Sequence, residues 1–305
     1  MEQRKLIPQG DGGLTIYVPK KWADRKGLIG GDFIDIDEIE GNLIIGSKKS
    51  EKKDYTLNVD ETIKPGLSHI MVFLYRLGYD TITINGDATD IANEITSVVS
   101  KQLLGFEITK KTAHQIIIES ISEPEESKFD TLLRRNFYII QESLQILIDD
   151  IKNGEMENYE RILALKEQED KFASFCKRSI KKEKYTQKII TIWQLLNSLR
   201  WINNSIFYIY ENLTTRKIKA HSKTVLLIEN FKKYFELAMQ SYYEKNLEKI
   251  VIGVKQKEEH FKLAMEIILG KEFSNEEKLI AIYIRDNIRQ VPLVCLNASL
   301  ENLFG

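Results

Sequence analysis

The heptapeptide "KEQEDKF" at residues 166–172 returns as "KQKEEHF" at residues 255–261. The same offset of 89 carries Arg200 to Arg289 and Cys176 to Met265, and "ENL" stands at 211 and again at 301. A pattern that recurs at a fixed spacing predicts a duplicated structural unit. Working outward, Leu133, Phe137, Ile140, Leu144, Leu147 and Ile151 step by three and four, as one buried helix face requires. Ile192, Leu195, Leu199, Ile202, Ile206, Ile209 and Leu213 do the same. Six helices are predicted, at about 128–152, 156–184, 185–214, 222–243, 245–270 and 275–303. They fall into two sets of three, so tandem three-helix bundles are expected over 126–214 and 218–305.

Ahead of the helices the pattern changes twice. Residues 1–50 carry short alternating runs separated by turn residues. "KLIP" and "LTIYVP" read as strands and "KKWADRKG" as a helical turn. "DFIDIDEI" and "NLIIG" read as a hairpin joined at Glu40-Gly41. Leu14, Ile16 and Val18 alternate onto one face. A unit of about 45 residues is marginal by itself, so pairing with a second copy is expected. "SKKSEKKD", residues 47–54, reads as a charged linker. Residues 55–122 then alternate: "YTLNVD", "TITIN" and "HQIIIESI" as strands, "GLSHIMVFLYRLG" and "DATDIANEITSVVSKQL" as helices. That βαβαβ order predicts a small sheet with helices on one face. The fold class expected for the whole is multidomain α+β, mostly α.

Bulk properties narrow the functions. The chain has 305 residues, 43% hydrophobic and 29% charged, enough for several cores and too apolar for disorder. A formal net charge of −1 excludes a global basic field, so any nucleic-acid contact must rest on a local patch. Cys176 and Cys295 lie far apart and no C-x-x-C is present, which argues for buried free thiols. "MEQRKLIPQG" has no apolar core of a signal peptide, and no run of 18 uncharged apolar residues exists. A cytoplasmic protein without membrane insertion is the expectation.

Each second helix interrupts its apolar stripe with acid. Glu169 shares a face with Ile162, Leu165, Phe172 and Cys176, and Glu258 with Leu247, Ile250, Val254, Phe261 and Met265. Asp170 and Glu259 follow directly. A carboxylate in an apolar seam is costly unless it is paired or bound to metal. Half of a carboxylate metal site is one reading, but the Glu-x-x-His partners of di-iron bundles are missing. The facing helices offer Arg200 and Arg289 instead. Internal pairs Glu169–Arg200 and Glu258–Arg289, with no metal and no cofactor, are therefore expected, and such pairs favour one helix register. His69, His114, His221 and His260 read as packed or solvated side chains. No G-x-x-x-x-G-K, G-x-G-x-x-G or Ser/Cys–His arrangement is visible, so no enzymatic activity is expected.

Two resemblances join these parts. "GGLTIYVPKKWADRKGLIGGDFIDI" followed by "GNLII" resembles the SpoVT/AbrB-type swapped-hairpin DNA-binding domain. It shares a strand ending in Val-Pro-Lys, a short helix ended by Gly-Leu, and Gly-Asp opening the next strand. The resemblance implies a dimer of interleaved hairpins that presents basic residues to DNA. "DTLLRRNFYIIQESLQILIDDI" and the tandem three-helix repeat resemble PhoU, the phosphate-uptake regulator. "YRLGYDTITINGD" and "LLGFEI" are similar to the linking segment of archaeal AbrB–PhoU proteins. PhoU third helices commonly carry an acid three residues after the arginine, part of a metal-cluster set. Here those positions are Asn203 and Pro292, so metal binding does not carry over.

The resulting expectation is a dimeric DNA-binding regulator of phosphate uptake, whose PhoU-like bundle receives a signal from a partner or effector. Arg4, Lys5, Lys20, Lys21, Arg25 and Lys26 are the DNA-contact candidates. The alternative is an interaction protein controlling a phosphate transporter ATPase or a sensor kinase, in which the N-terminal unit only dimerises.

Overall fold

The computed structural model of the protein describes residues 3–10, 12–39, 41–46, 52–122, 126–182, 189–214 and 216–294. Its contacts divide the chain into two units, Met1–Lys53 and Asp54–Gly305.

In the first unit β1 (Ile7–Gln9) pairs antiparallel with β2 (Gly13–Thr15). Helix α1 (Lys20–Arg25) follows Pro19, whose carbonyl accepts from the amides of Trp22 and Ala23. Proline suits this entry because it needs no amide partner there. β3 (Asp35–Ile39) and β4 (Asn42–Gly46) form a second antiparallel pair, with Gly41 at φ 73 in the turn.

The second unit begins with a sheet of order β5-β6-β8-β7. β5 (Asp54–Asn58) runs parallel to β6 (Thr81–Asn85), as a crossover through helix α2 (Leu67–Arg76) demands. Asp54 thus belongs to a strand, not to the charged linker. Helix α3 (Ala88–Gln102) follows, capped by the Asp87 carboxylate on the Thr89 amide. β7 (Phe106–Lys111) and β8 (Gln115–Ser120) close the sheet antiparallel. The expected βαβαβ order lacks β7. Only Phe106 of that strand is buried, Ile108 is half-buried, and the register slips between Ile108 and Lys110 before two lysines. Charged residues and a bulge are usual on an edge strand and erase its alternation in sequence. Ile82, Ile84, Ile116 and Ile118 are fully buried beneath α2 and α3.

Six longer helices complete this unit: α4 (Glu126–Asn153), α5 (Tyr159–Lys182), α6 (Ile189–Leu213), α7 (Ser222–Glu244), α8 (Leu247–Leu269) and α9 (Asn275–Ile288). The two stripes read from 133 to 151 and from 192 to 213 are buried throughout. Two expectations fail in the second set. The helix predicted over 275–303 stops at Ile288, and a turn at Arg289 and Gln290 precedes a new helical turn at 291–294. Pro292 explains the break, since its ring would strike the carbonyl of residue 288 in a continuous helix. Residues 295–303 of that prediction, with Cys295, lie outside the described residues. Helix α8 is also rotated from its expected face. Gly253, Ala264 and Ile267 are buried, whereas Val254 is 49% exposed and Phe261 and Met265 are half-buried.

The central packing fact is that α5 touches α4 and α6 on one side and α2 and α3 on the other. Every residue from Ala173 to Ile180 is buried, although the run reads "ASFCKRSI". Arg178, 1% exposed, makes this possible. Its Nη1 donates to the carbonyls of Tyr79 at 2.6 Å and Tyr75 at 3.2 Å, and its Nη2 to Asp80 Oδ1 at 2.6 Å. The guanidinium lies 4.7 Å from the Phe106 ring centre and 5.2 Å from that of Tyr75. Gly78 (φ 83) supplies the left-handed residue that ends α2 and turns these carbonyls toward the arginine. Lys182 Nζ adds a second cation 2.5 Å from Asp80. Arg178→Ala would leave Asp80 with Lys182 as its cation and take the side-chain donor from the Tyr79 carbonyl, while the Tyr75 carbonyl keeps the Gly78 amide at 3.0 Å. We expect a loss of about 3–5 kcal/mol in denaturant unfolding. Arg178→Lys should recover only part of it, because an ammonium cannot span the same three acceptors.

Candidate functional site

Two regions carry the residues singled out in the sequence. In the first unit Lys20 and Lys21 open α1 and Arg25 lies in its last turn. Arg4, Lys5, Lys20, Lys21 and Arg25 are exposed, and Lys26 is half-buried. Among the described residues, Lys5, Lys20, Lys21 and Arg25 make no ion pair. Lysines at a helix start gain nothing from the helix dipole, so α1 holds them without a local electrostatic reward. The Asp32 carboxylate accepts from the Ile29 amide at 3.0 Å and shapes the Gly-Gly-Asp turn that follows.

Among its described residues the same unit shows no core of its own. Of its described residues only Gly46 is buried. Leu14 and Ile16, expected to face inward, are 62% and 45% exposed, and Val18 is half-buried. Phe33 is 96% exposed, and Tyr17, Ile36 and Leu43 also face solvent.

The second region is the polar seam where α5 meets α6 and α2. Glu169 is fully buried, and both its carboxylate oxygens lack a hydrogen-bond partner. The expected pair Glu169–Arg200 is therefore corrected. Arg200 Nε lies 2.6 Å from Asp170 Oδ1, a charge contact at an angle unsuited to a hydrogen bond, and Lys166 Nζ donates to Asp170 Oδ2 at 2.9 Å. Asp170 takes the arginine because it sits toward the rim of the seam, where long cationic side chains keep partial contact with water. Glu169, one residue earlier, points into the core. Burial, then the charge of Asp170, pushes its carboxyl up to about 8, against the opposing pull of Arg200, Lys177 and Lys166. At neutral pH Glu169 therefore keeps its proton.

Lys177 moves in the other direction. Burial, then Arg76 and Arg200, pull its ammonium down to about 7, although Nζ donates to Asn197 Oδ1 at 2.7 Å and lies 5.4 Å from the Trp193 ring centre. Arg76 reaches in from α2, where its Nε and Nη2 donate to Ser174 Oγ at 3.1 and 2.9 Å. Asn203, where a third-helix acid would stand, is 2% exposed, and its Oδ1 lies 3.3 Å from Ser143 Oγ.

The second copy does not repeat this seam. Glu258 and Glu259 are exposed, and Glu258 makes no ion pair among the described residues. Arg289, at the end of α9, lies over the Phe261 ring at 5.6 Å instead. The expected Glu258–Arg289 pair is thus absent, because the rotation of α8 turns Glu258 to solvent. Among the described residues, no group of three or more His, Cys, Asp or Glu could hold a metal ion. His221 caps α7 through Nδ1 on the Lys223 amide, and His260 packs against Tyr234. Sequence reading missed Arg76, Asp80 and Arg178. Arg178 alone carried a signal, charge on the face of α5 opposite its apolar stripe; Arg76 and Asp80 carried none.

The chain matches no protein-family model, no curated protein and no solved structure. No described helix is long and apolar enough to cross a membrane.

The two shifted groups define a pH dependence. Folded Glu169 holds a proton that the unfolded chain releases between its ordinary value of 4.5 and about 8, so its contribution to stability declines as pH rises through that window. Folded Lys177 lacks a proton that the unfolded chain keeps between about 7 and 10.5, so its contribution recovers as pH rises through that window. Each limb is at most about 1.4 kcal/mol per pH unit. Urea unfolding from pH 5 to 10 should show the falling limb flattened in Glu169→Gln and the rising limb flattened in Lys177→Met.

Proposed function

We propose that the protein is a dimeric DNA-binding regulator of phosphate uptake, in which the helical unit receives a signal from a partner or effector. The observation that carries the reading is the composition of the first unit's surface. Cations of a proline-started helix that make no ion pair among the described residues stand beside apolar side chains that none of the described residues covers. Exposed apolar area of this kind on so small a unit calls for a partner. A second copy is the occupant that the swapped-hairpin resemblance implies. Two copies would set two α1 helices, and so two sets of Lys20, Lys21 and Arg25, at the spacing of a symmetric DNA site. The link to phosphate rests on the resemblance of the helical sequence to PhoU.

A second reading draws on the same exposed apolar surface. The first unit would only dimerise, and the helical unit would engage a transporter ATPase or a sensor kinase. Sedimentation of the full chain and gel shifts on mixed genomic fragments separate the readings. Under the first, the protein sediments as a dimer and retards selected fragments with a steep salt dependence. Lys20→Ala with Lys21→Ala should weaken binding and reduce the log–log salt slope by roughly 3–4, since up to four phosphate contacts per dimer are removed. A dimer that retards no fragment supports the second reading. A monomer contradicts both.

A further inference from the structure

Helices α6 and α9, the third helices of the two sets, meet along a face that the regulator reading does not use. A cleft of about 230 Å³ opens there, lined by Trp201, Asn204, Ser205, Tyr208, Tyr283 and Asp286. The four α6 residues share one face by their spacing, on the opposite side from the buried Leu199, Ile202 and Ile206. The walls are aromatic. Tyr208 and Tyr283 lie with ring centres 6.3 Å apart and planes 28° from parallel, and the Trp201 side chain is 55% exposed at the mouth. Tyr283 is half-buried against the core, whereas Trp201 and Tyr208 are exposed side by side with it, and a contiguous aromatic patch of this kind marks a binding surface.

Three polar oxygens of the cleft are acceptors. Asn204 Oδ1 is buried and accepts no hydrogen bond. Asp286 receives Arg285 on Oδ1 alone, at 2.9 and 3.2 Å, which leaves Oδ2 open. Ser205 spends its hydroxyl proton on the Trp201 carbonyl at 2.9 Å and offers only its oxygen. No lysine, arginine or histidine lines the cleft. Three ring faces, an open carboxylate oxygen and an orphan amide oxygen all attract positive charge. Trp and Tyr faces bind ammonium groups best when those groups shed water cheaply, as methylated ones do. The volume falls below the usual range for drug-sized pockets, which restricts the guest to a few heavy atoms.

We propose that this cleft binds a small methylated ammonium compound, held by the faces of Trp201, Tyr208 and Tyr283 and oriented by Asn204 and Asp286. Arg285 pairs Asp286 from the Oδ1 side only, so an anion in the cleft would face the open Oδ2.

Choline and its uncharged isostere 3,3-dimethyl-1-butanol form the test, followed by calorimetry and by ligand-observed NMR on the full chain. We expect saturable choline binding and at least tenfold weaker binding of the alcohol. Trp201→Ala and Tyr283→Ala should each weaken choline about tenfold. Trp201→Phe should retain most of the affinity, because a ring face remains. Asn204→Asp should tighten choline and leave the alcohol unchanged. Equal affinity for the two probes, no saturable choline binding at millimolar concentration, or binding indifferent to Trp201→Ala would each overturn the proposal. Trp201 is exposed, so its replacement tests the site without removing core packing.

Discussion

The arrangement of the second unit depends on one buried cation. Arg178 stands where α5 is enclosed on both sides, and it satisfies Asp80 and the carbonyls of Tyr75 and Tyr79 together. Without that guanidinium the Tyr79 carbonyl would lose its donor and buried Asp80 one of its two cations, a cost a folded core seldom leaves uncompensated. With it, the small sheet and the first helical set share α5 as a common wall. The Lys101–Glu167 pair and the bond from Lys171 Nζ to the Ser100 carbonyl extend the same contact toward α3. Packed on two sides, α5 has no solvent face over 173–180, which is why it buries serines, a lysine and an arginine there that an ordinary amphipathic helix would expose.

This double packing also explains why the two helical sets differ. In the first, α2 and α3 cover the outer face of α5 and desolvate Glu169, Lys177 and Arg76. Among the described residues nothing comparable covers α8, so Glu258 and Glu259 turn to water and the polar seam is lost. A sequence repeat preserved the motif "KEQEDKF" and "KQKEEHF", but tertiary context gave the two copies different environments.

How much could be read from sequence follows from where the signals were local. The stripes along α4 and α6 have a strong period of three and four, and their burial was legible residue by residue. The β3–β4 hairpin was legible because Glu-Gly stands between two alternating runs, whereas the pairing of β1 with β2 was not read and their strands are shorter than the runs suggest. β7 was not legible, because a bulge and two lysines break its alternation. The end of α9 was legible in principle, since Pro292 forbids a continuous helix, but the apolar periodicity on either side hid it. The partner of Arg200 turned on a single residue step between Glu169 and Asp170, which depends on helix rotation. The Arg178 contacts span about a hundred residues of sequence, a distance no local pattern encodes. The aromatic face of α6 is visible as Trp201, Asn204, Ser205 and Tyr208 at helical spacing, yet only packing brings Tyr283 and Asp286 to it.

The functional account joins two physically different parts: a small unit whose described residues expose apolar side chains beside the cations of α1, and a large helical unit with a wall of buried charge. Its central claim is that the first part reads DNA in response to phosphate. The most direct measurement is a genome-wide map of crosslinked protein in the host cell at high and at low phosphate. The account predicts discrete bound sites whose occupancy changes with phosphate supply and collapses when Lys20 and Lys21 are replaced by alanine. A map without enriched sites, or with sites indifferent both to phosphate and to those lysines, would contradict it.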